Sequence, residues 1–260
     1  MDYKNLLVQT SGEILTITIN RPDKLNALNS ETISELSAAL DEAHQQEDVR
    51  VIVLTGAGNS AFVAGADIAE FAHFSVDEGK KLSADGHEKL FNKVANSTIP
   101  VIAAVNGYAL GGGLELAMSA HIRIATTNAK LGLPEVSLGV IPGYGGTQRL
   151  TQLVGRGKAL EMIMTAGMVK ADEALLHGLV NSVVEPEHLM QACLEMAGRI
   201  SKNSARAIAG AIRSVNAYFE SGTDGFATEI DEFGKCFGTE DFKEGTSAFL
   251  EKRKPDFTGK

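Results

Sequence analysis

Five consecutive apolar residues, Val101-Ile102-Ala103-Ala104-Val105, run without a break into Asn106-Gly107-Tyr108-Ala109-Leu110-Gly111-Gly112-Gly113-Leu114-Glu115-Leu116-Ala117. A short run that is apolar at every position, not at every second one, fits a parallel strand covered on both faces. Residues 51–54 read the same way and are bounded by Gly56. The glycines after the second run let the backbone turn sharply and approach a ligand closely, and residues 114–119 then read as the first turns of a short helix. Strand, tight crossover and helix in that order make the chain an α/β protein.

The flanking segments repeat the theme. Leu15, Ile17 and Ile19 alternate with Thr16 and Thr18, the period of a half-buried strand over residues 13–20, and a weaker strand over 5–9 would hairpin with it across Ser11-Gly12. Asn29 or Ser30 caps a helix whose stripe is Ile33, Leu36 and Leu40. Residues 56–67 are rich in Gly and Ala and read as a long loop. A polar helix over 76–96 carries Leu82, Leu90 and Val94 and ends before Pro100. A strand over 121–126, tight loops over 131–135 and 140–146, and a helix over 147–154 follow. Beyond Gly155 the chain is mostly helical: residues 158–165, 171–177, a short strand over 180–184, a helix from Pro186 bearing Leu189, Cys193, Met196 and Ile200, and another bearing Ala205, Ile208, Ile212 and Phe219. These stripes read as core or subunit-packing surfaces. The recurrence points to stacked β-β-α turns.

Bulk properties narrow the function. With 260 residues, 44% of them hydrophobic, the chain can bury one substantial core. A net charge of -9 disfavours a nucleic-acid partner, while an anionic small molecule remains open if basic residues cluster locally. The two cysteines, Cys193 and Cys236, have no spacing suited to a disulfide framework or a zinc site and read as small hydrophobes. No apolar run approaches about 18 residues, so no membrane partner and a cytoplasmic location are expected.

Three motifs could carry chemistry. Gly56-Ala57-Gly58-Asn59-Ser60-Ala61 formally matches a dinucleotide fingerprint, but no helical face opens at its third position and the acid about 20 residues on falls inside a helix pattern, so it is set aside. There is no Gly-Lys-Ser/Thr, which excludes a P-loop. The 106–117 stretch would suit a developing oxyanion, with N–H groups and a helix N-terminus facing it; alone it is equally a packing crossover. Glu115 in the first turn is by itself an ordinary capping acid. Glu135 sits between Pro134 and Val136, where desolvation would raise its pKa, although the tetrapeptide alone favours a surface turn. Two such acids beside an oxyanion loop would form a general acid/base pair.

Residues 101–117 closely resemble the signature of the crotonase superfamily, in particular its enoyl-CoA hydratases. The resemblance spans nearly the whole chain: Arg21-Pro22 with Asn26-Ala27-Leu28, Ala64-Gly65-Ala66-Asp67-Ile68, Pro134-Glu135, Ile141-Pro142-Gly143, Gly145-Gly146-Thr147-Gln148-Arg149-Leu150 and Phe249-Leu250-Glu251-Lys252-Arg253. It implies a crotonase-like spiral of β-β-α units over residues 1–200 holding the active site. Residues 201–260 are then a helical region for oligomerisation and active-site cover, in a homotrimer or a homohexamer of paired trimers.

By the same resemblance, Ala66 and Gly112 are the oxyanion donors and Glu115 and Glu135 the two catalytic acids holding a water. Gly143, opening a helix, helps to position that water. Lys24, Ala27, Ala64, Asp67 and Ile68 match coenzyme A contacts, Lys252 with Arg253 is placed to approach its phosphates, and Tyr144 narrows the acyl pocket. His121 stands where many relatives have an aspartate and is read as structural. The implied reaction is reversible hydration of a 2-trans-enoyl-CoA, with the thioester as substrate and no metal or other cofactor. An enoyl-CoA isomerase and a non-catalytic acyl-CoA or RNA-binding member are the alternatives.

Overall fold

The computed structural model describes residues 3–260. The chain opens with the hairpin β1 (Leu6–Ser11) and β2 (Ile14–Ile19), turned at Gly12, whose φ is +57°. Helix α1 (Ser30–Gln45) is capped by Asn29, whose side chain accepts the Thr32 N–H. Three turns of a spiral follow. The first contains β3 (Val51–Gly56), β4 (Ala61–Ala64), α2 (Val76–Gly86), a π-turn (His87–Phe91) and α3 (Asn92–Ala95). The second contains β5 (Val101–Val105), β6 (Tyr108–Leu110) and α4 (Gly112–Ser119). The third contains β7 (Ile122–Thr126), β8 (Lys130–Gly132) and α5 (Gly146–Thr165).

Each turn contributes one strand to each of two sheets. The larger sheet runs β1-β2-β3-β5-β7-β10, parallel from β2 onward; the smaller runs β4-β6-β8-β9, closed by antiparallel β9 (Met168–Lys170). Helix α6 (Ala171–Leu176) leads to the edge strand β10 (Ser182–Val184). Helix α7 (Leu189–Ile200) then covers the outer face of the large sheet, packing Leu189, Cys193 and Ala197 on Val51, Val53, Ile102, Ala104 and Ile124. Their neighbours Ile52, Leu54, Val101, Ala103 and Val105 face the main core. Both faces of β3 and β5 are therefore buried, which is why residues 51–54 and 101–105 are apolar at every position.

The loop expected over 56–67 is corrected: it contains β4, and the small sheet also holds β6, β8 and β9 in segments that read as loops or crossovers. Four residues of strand are too few to display a period. The helices expected over 147–154 and 158–165 form the two parts of α5, which kinks between them at Gly155, with φ 76° and ψ 161°.

Helices α8 (Ala205–Ala217), α9 (Gly225–Cys236) and α10 (Glu240–Glu251) complete the chain. The terminal segment is tied back by Asp241, whose Oδ1 accepts the N–H groups of Thr258 and Gly259 and whose Oδ2 accepts the Ser204 hydroxyl. No helix among the described residues is long and apolar enough to cross a membrane.

Candidate active site

The spiral brings the tips of its turns together at the N-terminus of α4. That helix opens at Gly112, and its cap Gly111 has φ 50° and ψ −125°, a conformation open in practice only to glycine. Glu115 N–H makes an early ladder bond, to Gly111 O at 2.9 Å, so the amides before it have no partner inside the helix. Beside it, Ala66 forms an isolated parallel bridge with Leu28, made by Leu28 N–H to Gly65 O (2.9 Å) and Asp67 N–H to Leu28 O (2.7 Å). A parallel bridge uses the neighbours' polar groups, which leaves Ala66 N–H turned away from Leu28. Its nitrogen lies 3.8 Å from where a Cβ on Gly112 would stand. Two backbone amides from different turns thus sit side by side at the positive end of a helix, a setting for a developing negative charge.

Glu115 is only 1% exposed, and it does not cap its own helix. Its Oε1 accepts two N–H groups from the loop before α5, those of Tyr144 (2.7 Å) and Gly146 (2.8 Å). Burial pushes its pKa up to about 7; the two amide bonds oppose that rise, the facing Glu135 adds to it and the charge of Arg149 subtracts from it. Glu135 begins a 3-10 turn directly after Pro134, yet its side chain folds inward. Its Oε1 lies 2.7 Å from the position of a Cβ on Gly111, and its buried Oε2 has no hydrogen-bond partner. Burial raises its pKa as well. The surface-turn reading of Glu135 is therefore corrected: packing against Gly111 removes the carboxyl from water.

Two raised carboxyls facing one another disfavour joint ionisation. The amide donors favour the anion at Glu115, while burial favours the protonated form of both carboxyls.

Gly143 does not open a helix. Helix α5 begins three residues later at Gly146, after Gly145 with φ +99°, and Gly143 instead gives its carbonyl to the Ser83 hydroxyl at 2.5 Å. Tyr144 is buried, its ring stacked on Phe91 with centroids 4.6 Å apart and planes at 11°. The same ring leaves Gly86 no space for a side chain: a Cβ there would lie 2.2 Å from Cε1. Burial pushes the phenol up to about 12. Tyr144 also lines a cleft of about 260 Å³ between α1 and α2, with Ile33, Phe74 and Leu82.

The expected coenzyme A contacts fall into two groups. The turn over 24–27, with left-handed Leu25 and Asn26, receives the Ala64 N–H at Leu25 O (3.0 Å), so Lys24, Ala27 and Ala64 border one surface continuous with Ala66. Ile68 is exposed beside it, while the Asp67 carboxylate is engaged by Arg21 at 3.2 Å. Lys252 caps α10 in the left-handed conformation, and no contact among the described residues joins it to this group. His121 is structural: Nδ1 accepts the Val101 N–H at 2.9 Å, and burial pushes the ring down to about 4.

A family model described as enoyl-CoA hydratase/isomerase matches residues 9–260. The chain belongs to that family. Within it, the chain is 48% identical over 255 residues to the short-chain-enoyl-CoA hydratase of Clostridium acetobutylicum, covering 98% of this chain and 97% of that protein. It is 44% identical to the crotonyl-CoA hydratase of Syntrophomonas wolfei over the full length of both. An enoyl-CoA hydratase crystal structure from Geobacillus kaustophilus superposes with a TM-score of 0.93 at 42% identity, covering 100% of each chain.

For this enoyl-CoA hydratase/isomerase family member, the sequence did not single out the amides of Tyr144 and Gly146 or the side chains of Ser83 and Arg149. The available signal was local. A Gly-Gly pair directly before an amphipathic helix marks a left-handed residue followed by free helix-end amides, which need an acceptor.

Proposed function

We propose that this protein is an enoyl-CoA hydratase, adding water to a 2-trans-enoyl-CoA to give a 3-hydroxyacyl-CoA and catalysing the reverse elimination. The thioester carbonyl lies against the amides of Ala66 and Gly112, which favour the enolate-like charge that grows as Cβ is attacked. A water is held between the two carboxyls. Glu115 takes a proton from that water as its oxygen bonds to Cβ, and Glu135 delivers its proton to Cα on the same face. Transfer of the proton from Glu115 to Glu135 resets the pair. Addition of water leaves the overall oxidation state unchanged, so the scheme requires no redox cofactor.

The observation that carries this reading is the pair of amide bonds fixing Glu115 Oε1 opposite an inward-turned Glu135. The buried Tyr144 ring lining the cleft supports a short acyl group. Exposed Tyr218 at the end of α8, and Phe226, Ile230, Phe233 and Leu250 on α9 and α10, support the proposal that residues 201–260 form a trimer contact, singly or in paired trimers. The test is crotonyl-CoA hydration by the Glu115→Gln and Glu135→Gln variants. Each should lose about two or more orders of magnitude in kcat while still binding coenzyme A; near-full turnover in both would exclude the two-carboxyl scheme.

A further inference from the structure

Arg149 stands on the first turn of α5, where its own N–H donates to Gly145 O at 2.8 Å. Its guanidinium reaches back along the loop. Nη1 donates to Tyr144 O at 2.8 Å and Nη2 to Asn92 Oδ1 at 2.9 Å. The carbonyl it grips lies between the two amides, Tyr144 N–H and Gly146 N–H, that hold Glu115. Gly145 is kept clear for this contact, since a Cβ there would lie 2.2 Å from Nη1. Through Asn92 the guanidinium is anchored to α3, directly after Phe91, on which the Tyr144 ring is stacked. One side chain thus clamps the Glu115-binding loop to the helix packed beneath it.

The charge has a second consequence. Arg149 is largely removed from water and makes no ion pair among the described residues. Burial holds its guanidinium below the usual arginine range, and the facing Glu115 is the group that offsets this. The other titratable groups around Glu115 are Glu135 and the Tyr144 phenol. His87 faces Arg149 and is held below the usual histidine range by burial and by that charge. Arg149 is therefore the cation that the Glu115 carboxylate meets.

We propose that Arg149 is a positioning residue for hydration, aligning Glu115 through the Tyr144 carbonyl and favouring its carboxylate form through the guanidinium charge. The inference rests on the reading of Glu115 as the base. Shape and charge are separable: Arg149→Lys keeps the charge and loses the two-armed bridge, Asn92→Ala keeps the charge and loses one arm, and Arg149→Met loses both.

The experiment is the pH dependence of kcat/KM for crotonyl-CoA hydration, which reports groups of the free enzyme, with circular dichroism as the check on folding. Arg149→Met should move the acid limb up by about one pH unit and lower the plateau kcat about tenfold or more. Arg149→Lys and Asn92→Ala should lower the plateau and leave the limb where it is in the wild type. A folded Arg149→Met with an unmoved limb and wild-type plateau overturns the proposal. If that variant does not fold, wild-type plateaus in both Arg149→Lys and Asn92→Ala overturn it equally. Glu115→Gln, run alongside, separates the two readings: if it retains turnover the base assignment fails, whereas its inactivity beside an unaffected Arg149→Met removes only the role of Arg149.

Discussion

A Cβ placed on Gly111 would lie 2.7 Å from Oε1 of Glu135. The glycine that turns the chain into α4 is thus also the floor on which the second carboxyl rests. Gly111→Ala should fail twice, because φ 50° with ψ −125° costs a side chain about 1–3 kcal/mol and because the methyl displaces Glu135. The expected result is a modest loss of stability with a fall in kcat of about a hundredfold. Thermal melting and crotonyl-CoA hydration on the same sample would separate the two effects.

Glu115 carries a cost that pH should expose. Its folded pKa of about 7 lies above the ordinary carboxylate value of 4.5, so the folded state holds the proton more tightly than the unfolded chain. The corresponding stability is full below about pH 4.5 and is lost as pH rises through about 7. In Glu115→Gln the amide oxygen can still accept the Tyr144 and Gly146 amides, and nothing ionises. That variant should gain on the wild type between pH 5 and pH 8 by on the order of 3 kcal/mol, read as a widening gap in denaturant midpoints. A gap that stayed constant would show that burial does not oppose the Glu115 anion.

Asn26 links the proposed coenzyme A surface to the core. It is 1% exposed, accepts the Arg21 N–H, and donates to Ala57 O at 3.0 Å and Ala61 O at 2.8 Å, with φ at 59°. Asn26→Ala leaves these partners unpaired and puts a less tolerant residue in the left-handed region. Destabilisation of about 3 kcal/mol is expected, with KM for the thioester rising more than kcat falls, because the loop over Ala64 and Ala66 is positioned from this turn.

The legible parts of the fold were those with a period or a cap. The Leu15, Ile17, Ile19 alternation, the continuous runs in β3 and β5, and the Asn29 cap all depend on neighbours close in sequence. The small sheet was not legible, because β4, β6, β8 and β9 have only three or four residues each and exist through pairing between successive turns. The site divides in the same way. Glycine at 111–113 announced a tight crossover, but only long-range packing turns Glu135 inward and seats Glu115 on the loop before α5. The resemblance supplied those two positions; their local sequence favoured a surface turn and an ordinary cap. The pattern placed the start of α5 within one residue, but Gly143, which the resemblance implied as its opener, does not open it: Gly145 takes the left-handed conformation that precedes the helix.

Tyr144 should set the acyl length. Its ring is held between Phe91, on which it stacks, and Gly86, and it lines the cleft between α1 and α2. A longer acyl chain must displace that ring, losing the stack as well as its buried area. Each methylene placed in apolar surroundings is worth about 0.8 kcal/mol, which the wild-type protein cannot recover past the ring. Tyr144→Ala keeps the backbone N–H that Glu115 needs while removing the barrier. Its kcat/KM for a six- or eight-carbon enoyl-CoA should therefore rise relative to crotonyl-CoA by about tenfold per pair of methylenes accommodated. Crotonyl-CoA turnover itself should fall, because the loop loses its stacking anchor. Unchanged ratios across chain lengths would mean that the acyl group leaves the site by a path that does not pass Tyr144.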